Sequence, residues 1–215
     1  MLRPLQRLLE VIYDVPTSHD VEDFVFTDRA LLPQAQARGP SQEQVLVSDG
    51  AGSAQVGVFL EAALLERLAA ANPLHALNGG NLADFWTVLE GISHFQYLAW
   101  NARHARPVSV LELELQAEVD KFVVTLWLLR AQRPERYPRE LRWLLFDAAR
   151  VDPAHAGERW QLYRTANHYA ARYCNRLERD LASGQRGLRS DAVRDLRRFY
   201  RRGSLGKRRH IERLN

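Results

Sequence analysis

Residues Leu82–Arg103, LADFWTVLEGISHFQYLAWNAR, decide the fold. Phe85, Trp86, Val88, Leu89, Ile92, Phe95, Leu98 and Trp100 spread over most of a helical circumference, as in a helix packed among others. The narrow stripe left over holds Asp84, Thr87, Glu90, Gly91 and His94. Glu90 and His94, four apart, share a face. Asn78-Gly79-Gly80-Asn81 reads as a turn before this helix, and Asn81 with Asp84 resembles a capping arrangement.

After the punctuation of Pro107, residues 108–132 read as a second helix carrying Glu114, Glu118 and Lys121. Antiparallel pairing about a turn near Arg106 sets His94 level with Glu118, with Glu90 and Glu114 about one turn away. Two expectations follow. In one, Glu90, His94, Glu114 and Glu118 form a carboxylate–histidine site of a helical-bundle enzyme, for a divalent metal or for proton transfer. In the other, His94 and Glu118 are a polar pair that fixes helix register. Bundle metal motifs put Glu and His three apart, and no His-Glu-x-x-His pair occurs. The sequence therefore favours the structural pair.

Working outward, Leu2, Leu5, Leu8, Leu9 and Ile12 are spaced as a helix over 2–13, and Val21–Asp28 fits a strand. Val45-Leu46-Val47 and Gln55–Leu60 flank the turn set Ser48–Ser53, which predicts a hairpin. Helices are expected over 61–71, stopped by Asn72-Pro73, and then over 138–149, 158–182 and 190–202. The fold class is α+β, mostly α: a multi-helix bundle with a small N-terminal β-hairpin. Residues 1–157 supply the hairpin and helical core. Residues 158–215 form a basic helical region packed on the same domain.

An apolar fraction of 46% argues against disorder, and Trp86, Trp100, Trp127, Trp143 and Trp160 read as core. The lone Cys174 excludes an intrachain disulfide and a multi-cysteine zinc site, and lies on an apolar stripe, so a cytoplasmic location is expected. The first residues are broken by charges too often for a signal peptide. The longest apolar stretch, around Phe122–Leu129, is far short of a membrane span, so no membrane partner is expected.

Charge is split along the chain. Residues 158–215 hold 16 Lys and Arg against 6 Asp and Glu, whereas residues 1–157 hold 14 against 20. One face of the long helix shows Arg164, His168, Arg172, Arg176 and Arg179. The next helix turns Arg194, Arg197, Arg198, Arg201 and Arg202 outward, and Lys207, Arg208 and Arg209 follow. Clustered guanidinium groups suit phosphate oxygens, and Phe199 and Tyr200 would stack on bases if exposed. The leading expectation is a non-enzymatic adaptor binding nucleic acid or an acidic protein through this surface. The same groups could instead meet the chain's own Asp14, Asp20, Glu22, Asp23 and Asp28, or form an interface as a subunit of a larger assembly. Charge reversal at Arg197, Arg198 and Arg201 is expected to weaken binding and spare the fold.

Two motifs fail on inspection. Gly203-Ser204-Leu205-Gly206-Lys207 is too short for a phosphate loop and reads as a turn. Gly50-Ala51-Gly52 lacks the third Gly and the following helix of a dinucleotide fingerprint.

Overall fold

A computed structural model describes residues 1–37, 39–50, 53–135, 138–148, 159–182 and 190–214. It contains eight α-helices and a three-stranded sheet among those residues, a mostly helical α+β architecture. Helix α1 spans Leu2–Tyr13, burying Leu2, Leu5, Leu9 and Ile12 as their spacing predicts. The segment read as a strand over 21–28 is instead a 3-10 turn, Val21–Asp23, and a two-residue strand β1, Val25–Phe26. Asp20 causes the turn, because its side chain accepts from the Glu22 amide. A short helix α2, Gln34–Ala37, precedes the hairpin strands β2, Glu43–Gly50, and β3, Ser53–Leu60. The hairpin is antiparallel, with Glu43 opposite Leu60 and Val45 opposite Val58, and β1 adds in parallel on the far side of β3. Ala51 and Gly52 of the expected turn lie outside the described residues.

Helix α3 covers Ala62–Ala70, α4 Leu82–Arg103 and α5 Val110–Gln132. Ser109 caps α5 by accepting from the Glu112 amide. Asn81 is the N-cap residue of α4, as expected, but its side chain makes no capping hydrogen bond. Its side chain accepts from the Asn78 amide and donates to the carbonyls of Ala71 and Ala76, while Asp84 pairs with Arg67 at 2.7 Å. A single π-helical turn, Trp143–Asp147, stands in the region expected to be helical over 138–149. The last helices are α6, Arg159–Ala182, α7, Ser190–Tyr200, and α8, Ser204–Glu212. The expected helix start at Glu158 lies outside the described residues. Helix α8 corrects the reading of 203–207 as a turn: the Ser204 amide donates to Glu112 Oε2 of α5 at 2.8 Å, so a remote carboxylate starts the helix.

Helix α4 packs on α1, α3, α5, β2 and β3; α5 packs on α6 and α8; α7 packs on α1 and α6. One hydrophobic core runs through these elements, from Leu5 and Leu9 through Phe85, Phe95 and Phe122 to Tyr173, Phe199 and Ile211. Trp100 is buried, but Trp127 and Trp143 are surface residues, Trp143 with 56% exposure. Helical spacing alone cannot say which side of a helix meets a neighbour. Cys174 is buried, as its place on the stripe requires.

Candidate metal centre

Where α4 passes between β2 and α5, the His94 end of its polar stripe is covered, while Asp84, Thr87 and Glu90 remain partly exposed. His94 is 5% exposed. Its Nε2 lies 3.7 Å from Glu114 Oε2 of α5, and its Nδ1 lies 3.6 Å from Glu43 Oε1 of β2. Both separations exceed a hydrogen bond. His94 Nε2 and Glu43 Oε1 have no hydrogen-bond partner among the described residues, although both atoms are buried. Buried polar atoms are normally satisfied, so such a pair needs an explanation. Ligand atoms of Glu90, His94 and Glu114 all fall within 4.8 Å of one another.

The arrangement joins three of the four residues singled out in the sequence and parts the fourth from the histidine. Glu118 does not meet His94; its Oε1 accepts from Lys121 Nζ at 2.6 Å, and Lys121 also donates to Glu90 Oε2 at 3.1 Å. The expected His94–Glu118 pair is therefore replaced by His94 between Glu114 and Glu43. Lys121, one turn along the same helix, holds Glu118 more closely than an imidazole across the interface would.

Glu43 was not legible as a site residue. The one available signal was the alternation Glu43, Val45, Val47, which puts Glu43 on one face of the strand with two apolar residues. Gly91 makes room for it. A Cβ built there would lie 3.0 Å from Glu43 Cγ and 3.2 Å from a methyl of Val58.

Carboxylates outnumber bases in this cluster, and the electrostatics reflect it. Burial raises Glu114 to about 7, with Glu90 and Glu43 adding to the rise. Burial also raises Glu43 and Glu118. Burial alone would lower His94, but Glu43, Glu114 and Glu90 outweigh it and lift the imidazolium to about 9. Glu90 is also penalised by burial, yet Lys121 and His94 bring it below its usual value. Four acids, Glu114 buried and Glu43, Glu90 and Glu118 partly buried, stand beside two bases, which leaves the cluster short of positive charge.

A second buried polar group lies toward α8. Ser93 Oγ donates to Asp120 Oδ2 at 2.6 Å and Gln116 Nε2 to Asp120 Oδ1 at 2.7 Å, while Lys207 Nζ donates to Gln116 Oε1. Lys207 is fully buried, 4.4 Å from the centre of the Tyr97 ring and 4.9 Å from that of Phe199. It therefore leaves the proposed basic surface: α8 turns it inward. Phe199 and Tyr200 are buried too and offer no face to a base.

The other basic candidates divide. Arg197 donates to the carbonyls of Val11 and Ile12, and Arg201 to those of Tyr13 and Asp14, with Asp14 Oδ2 3.9 Å and 3.7 Å from the two guanidinium groups. These two arginines serve the C-terminus of α1 and the acidic body. Arg194 pairs with Asp191. Arg172 is half-buried and has a partner, as does the exposed Arg176. Arg164, His168, Arg179, Arg198, Arg202, Arg208 and Arg209 are exposed, with Arg164 over Trp160 and Arg208 over Tyr169. Among the described residues no helix is long and apolar enough to cross a membrane. No family model, curated protein or solved structure matches this chain.

Proposed function

We propose that this protein is a helical-bundle metalloprotein that binds one divalent transition-metal ion through Glu90, His94 Nε2 and Glu114. The observation that carries this is the buried Nε2 of His94, which has no hydrogen-bond partner among the described residues, stands 3.7 Å from Glu114 Oε2 and shares a 4.8 Å cluster with Glu90 and Glu114. Ligands at metal–ligand lengths of about 2.0–2.2 Å stand about 3.0–3.5 Å apart, so a pair at the 4.8 Å limit of this cluster would close by about 1.3–1.8 Å, shared between its two side chains, to complete the set. Glu43 faces Nδ1, where a carboxylate holds the coordinating tautomer and ring orientation. Imidazole with carboxylates suits Mn, Fe or Zn. Three protein ligands leave positions for water or substrate, the pattern of catalytic rather than structural centres. An ion there supplies a Lewis acid and an activated water, which favours a hydrolytic reaction.

The test is metal analysis of full-length protein purified without chelator. About one ion per chain is expected, lost on His94→Ala and on Glu114→Gln while circular dichroism keeps the helical signal. A folded wild-type protein that takes up no Mn, Fe or Zn after loading would sink the proposal.

A second reading, nucleic-acid binding by a basic adaptor surface, is favoured by the exposed arginines of α6 and α8 beside Trp160 and Tyr169. For roughly five phosphate contacts, log K for single-stranded nucleic acid should fall against log salt with a slope of about −4.5. Arg164→Glu with Arg208→Glu should abolish it. Salt-independent binding would exclude this reading.

A further inference from the structure

Glu118 and Lys121 stand three apart on α5. Helical-bundle carboxylate centres that hold two metal ions place a Glu and a His at that spacing, so Lys121 occupies the histidine's position. Its Nζ lies 2.6 Å from Glu118 Oε1 and 3.1 Å from Glu90 Oε2, with the side chain only 10% exposed. Glu90 thus turns toward His94 and Glu114 on one side and toward Lys121 on the other, as a carboxylate does between two cations.

We infer that Lys121 takes the place of a second metal ion: its ammonium fills the cation position between Glu90 and Glu118 and limits the centre to one metal. This rests on the metal-binding reading above. A buried ammonium persists only where carboxylates surround it. A fixed cation at that point also restrains Glu90 so that one of its oxygens stays directed away from the metal. Lys121 is therefore a specificity-determining residue, setting how many ions the bundle holds.

The experiment compares wild type with Lys121→His, both full-length and loaded with Mn(II), by elemental analysis and electron paramagnetic resonance. Wild type is expected to hold one isolated Mn(II). Lys121→His is expected to hold two, with the spectrum of a coupled pair. Two ions in wild type would overturn the inference and leave the metal reading standing, and so would a folded Lys121→His that holds only one. No metal in wild type would overturn both. Should Lys121→His not fold, Lys121→Gln removes the charge at similar volume. Its melting temperature should rise more on adding Mn(II) than that of wild type, and an equal rise in both would overturn the inference.

Discussion

Gly91 sits inside α4, where glycine is less stable than alanine by about 0.5–1 kcal/mol. What it allows is the close approach of Glu43 and Val58. Gly91→Ala should therefore raise helix propensity while pushing Glu43 off the His94 ring, and metal affinity should fall by about 10-fold. Metal titration of the variant alongside wild type checks this; unchanged affinity would show that Glu43 does not orient His94. Lys207 tests the other buried group. Burial lowers its ammonium to about 7 from the usual 10.5, although Glu112 and Asp120 pull the other way. The unfolded chain keeps the proton up to 10.5, so the folded state is penalised fully below pH 7, and less as pH rises toward 10.5. Lys207→Met should gain stability relative to wild type most at pH 6 and least at pH 10, as measured by urea denaturation. A pH-independent difference would mean that Lys207 stays charged.

Helix α1 ends on Asp14 in the left-handed region, φ 56°, and its last carbonyls are met by Arg197 of α7 and by Arg201 just beyond that helix. Carbonyl groups at a helix C-terminus favour cations by up to about 2 kcal/mol when partly buried. Arg197→Ala with Arg201→Ala should therefore cost about 2 kcal/mol of unfolding free energy. This reverses the expectation drawn from the sequence, in which charge reversal at these residues spares the fold. A double variant as stable as wild type, by urea denaturation, would show that the α1–α7 contact rests on apolar packing alone. The stacked rings of Tyr13 and Tyr200, 4.4 Å between centres, lie in that same contact.

Across the whole molecule, a proton and the proposed metal ion would compete for the same nitrogen. Folding lifts His94 from 6.5 to about 9, so its contribution is fully present below pH 6.5 and disappears as pH rises through 9. Glu114, raised from 4.5 to about 7, contributes in the same direction at lower pH. Metal-free protein should lose stability from these groups between about pH 4.5 and 9, whereas Mn(II) should stabilise it increasingly over that range. Lys207 opposes the metal-free trend above pH 7, so the Lys207→Met background isolates it. Denaturation with chelator and with Mn(II) at pH 5.5, 7.5 and 9 gives the comparison. A Mn(II) effect that does not grow with pH would remove His94 from the ligand set.

Much of the architecture was legible because periodicity is local. The spacing of Leu5, Leu9 and Ile12, the apolar run from Phe85 to Trp100, and the β-rich runs about Ser48–Ser53 each depend on neighbours in sequence. Glu90, His94 and Glu114 were legible as candidates because turn position sets the register of two paired helices. Glu43 was not, since a strand some fifty residues earlier reaches His94 only by tertiary packing. The sequence by itself determined a mostly helical bundle, its hairpin and a carboxylate–histidine stripe, because those follow from side-chain spacing along a helix or strand. Only the tertiary structure decided that Lys121 rather than His94 holds Glu118, that Lys207 is inside, and that Arg197 and Arg201 hold α1. Charge and exposure belong to whatever packs across from a residue, and that partner is remote in the chain.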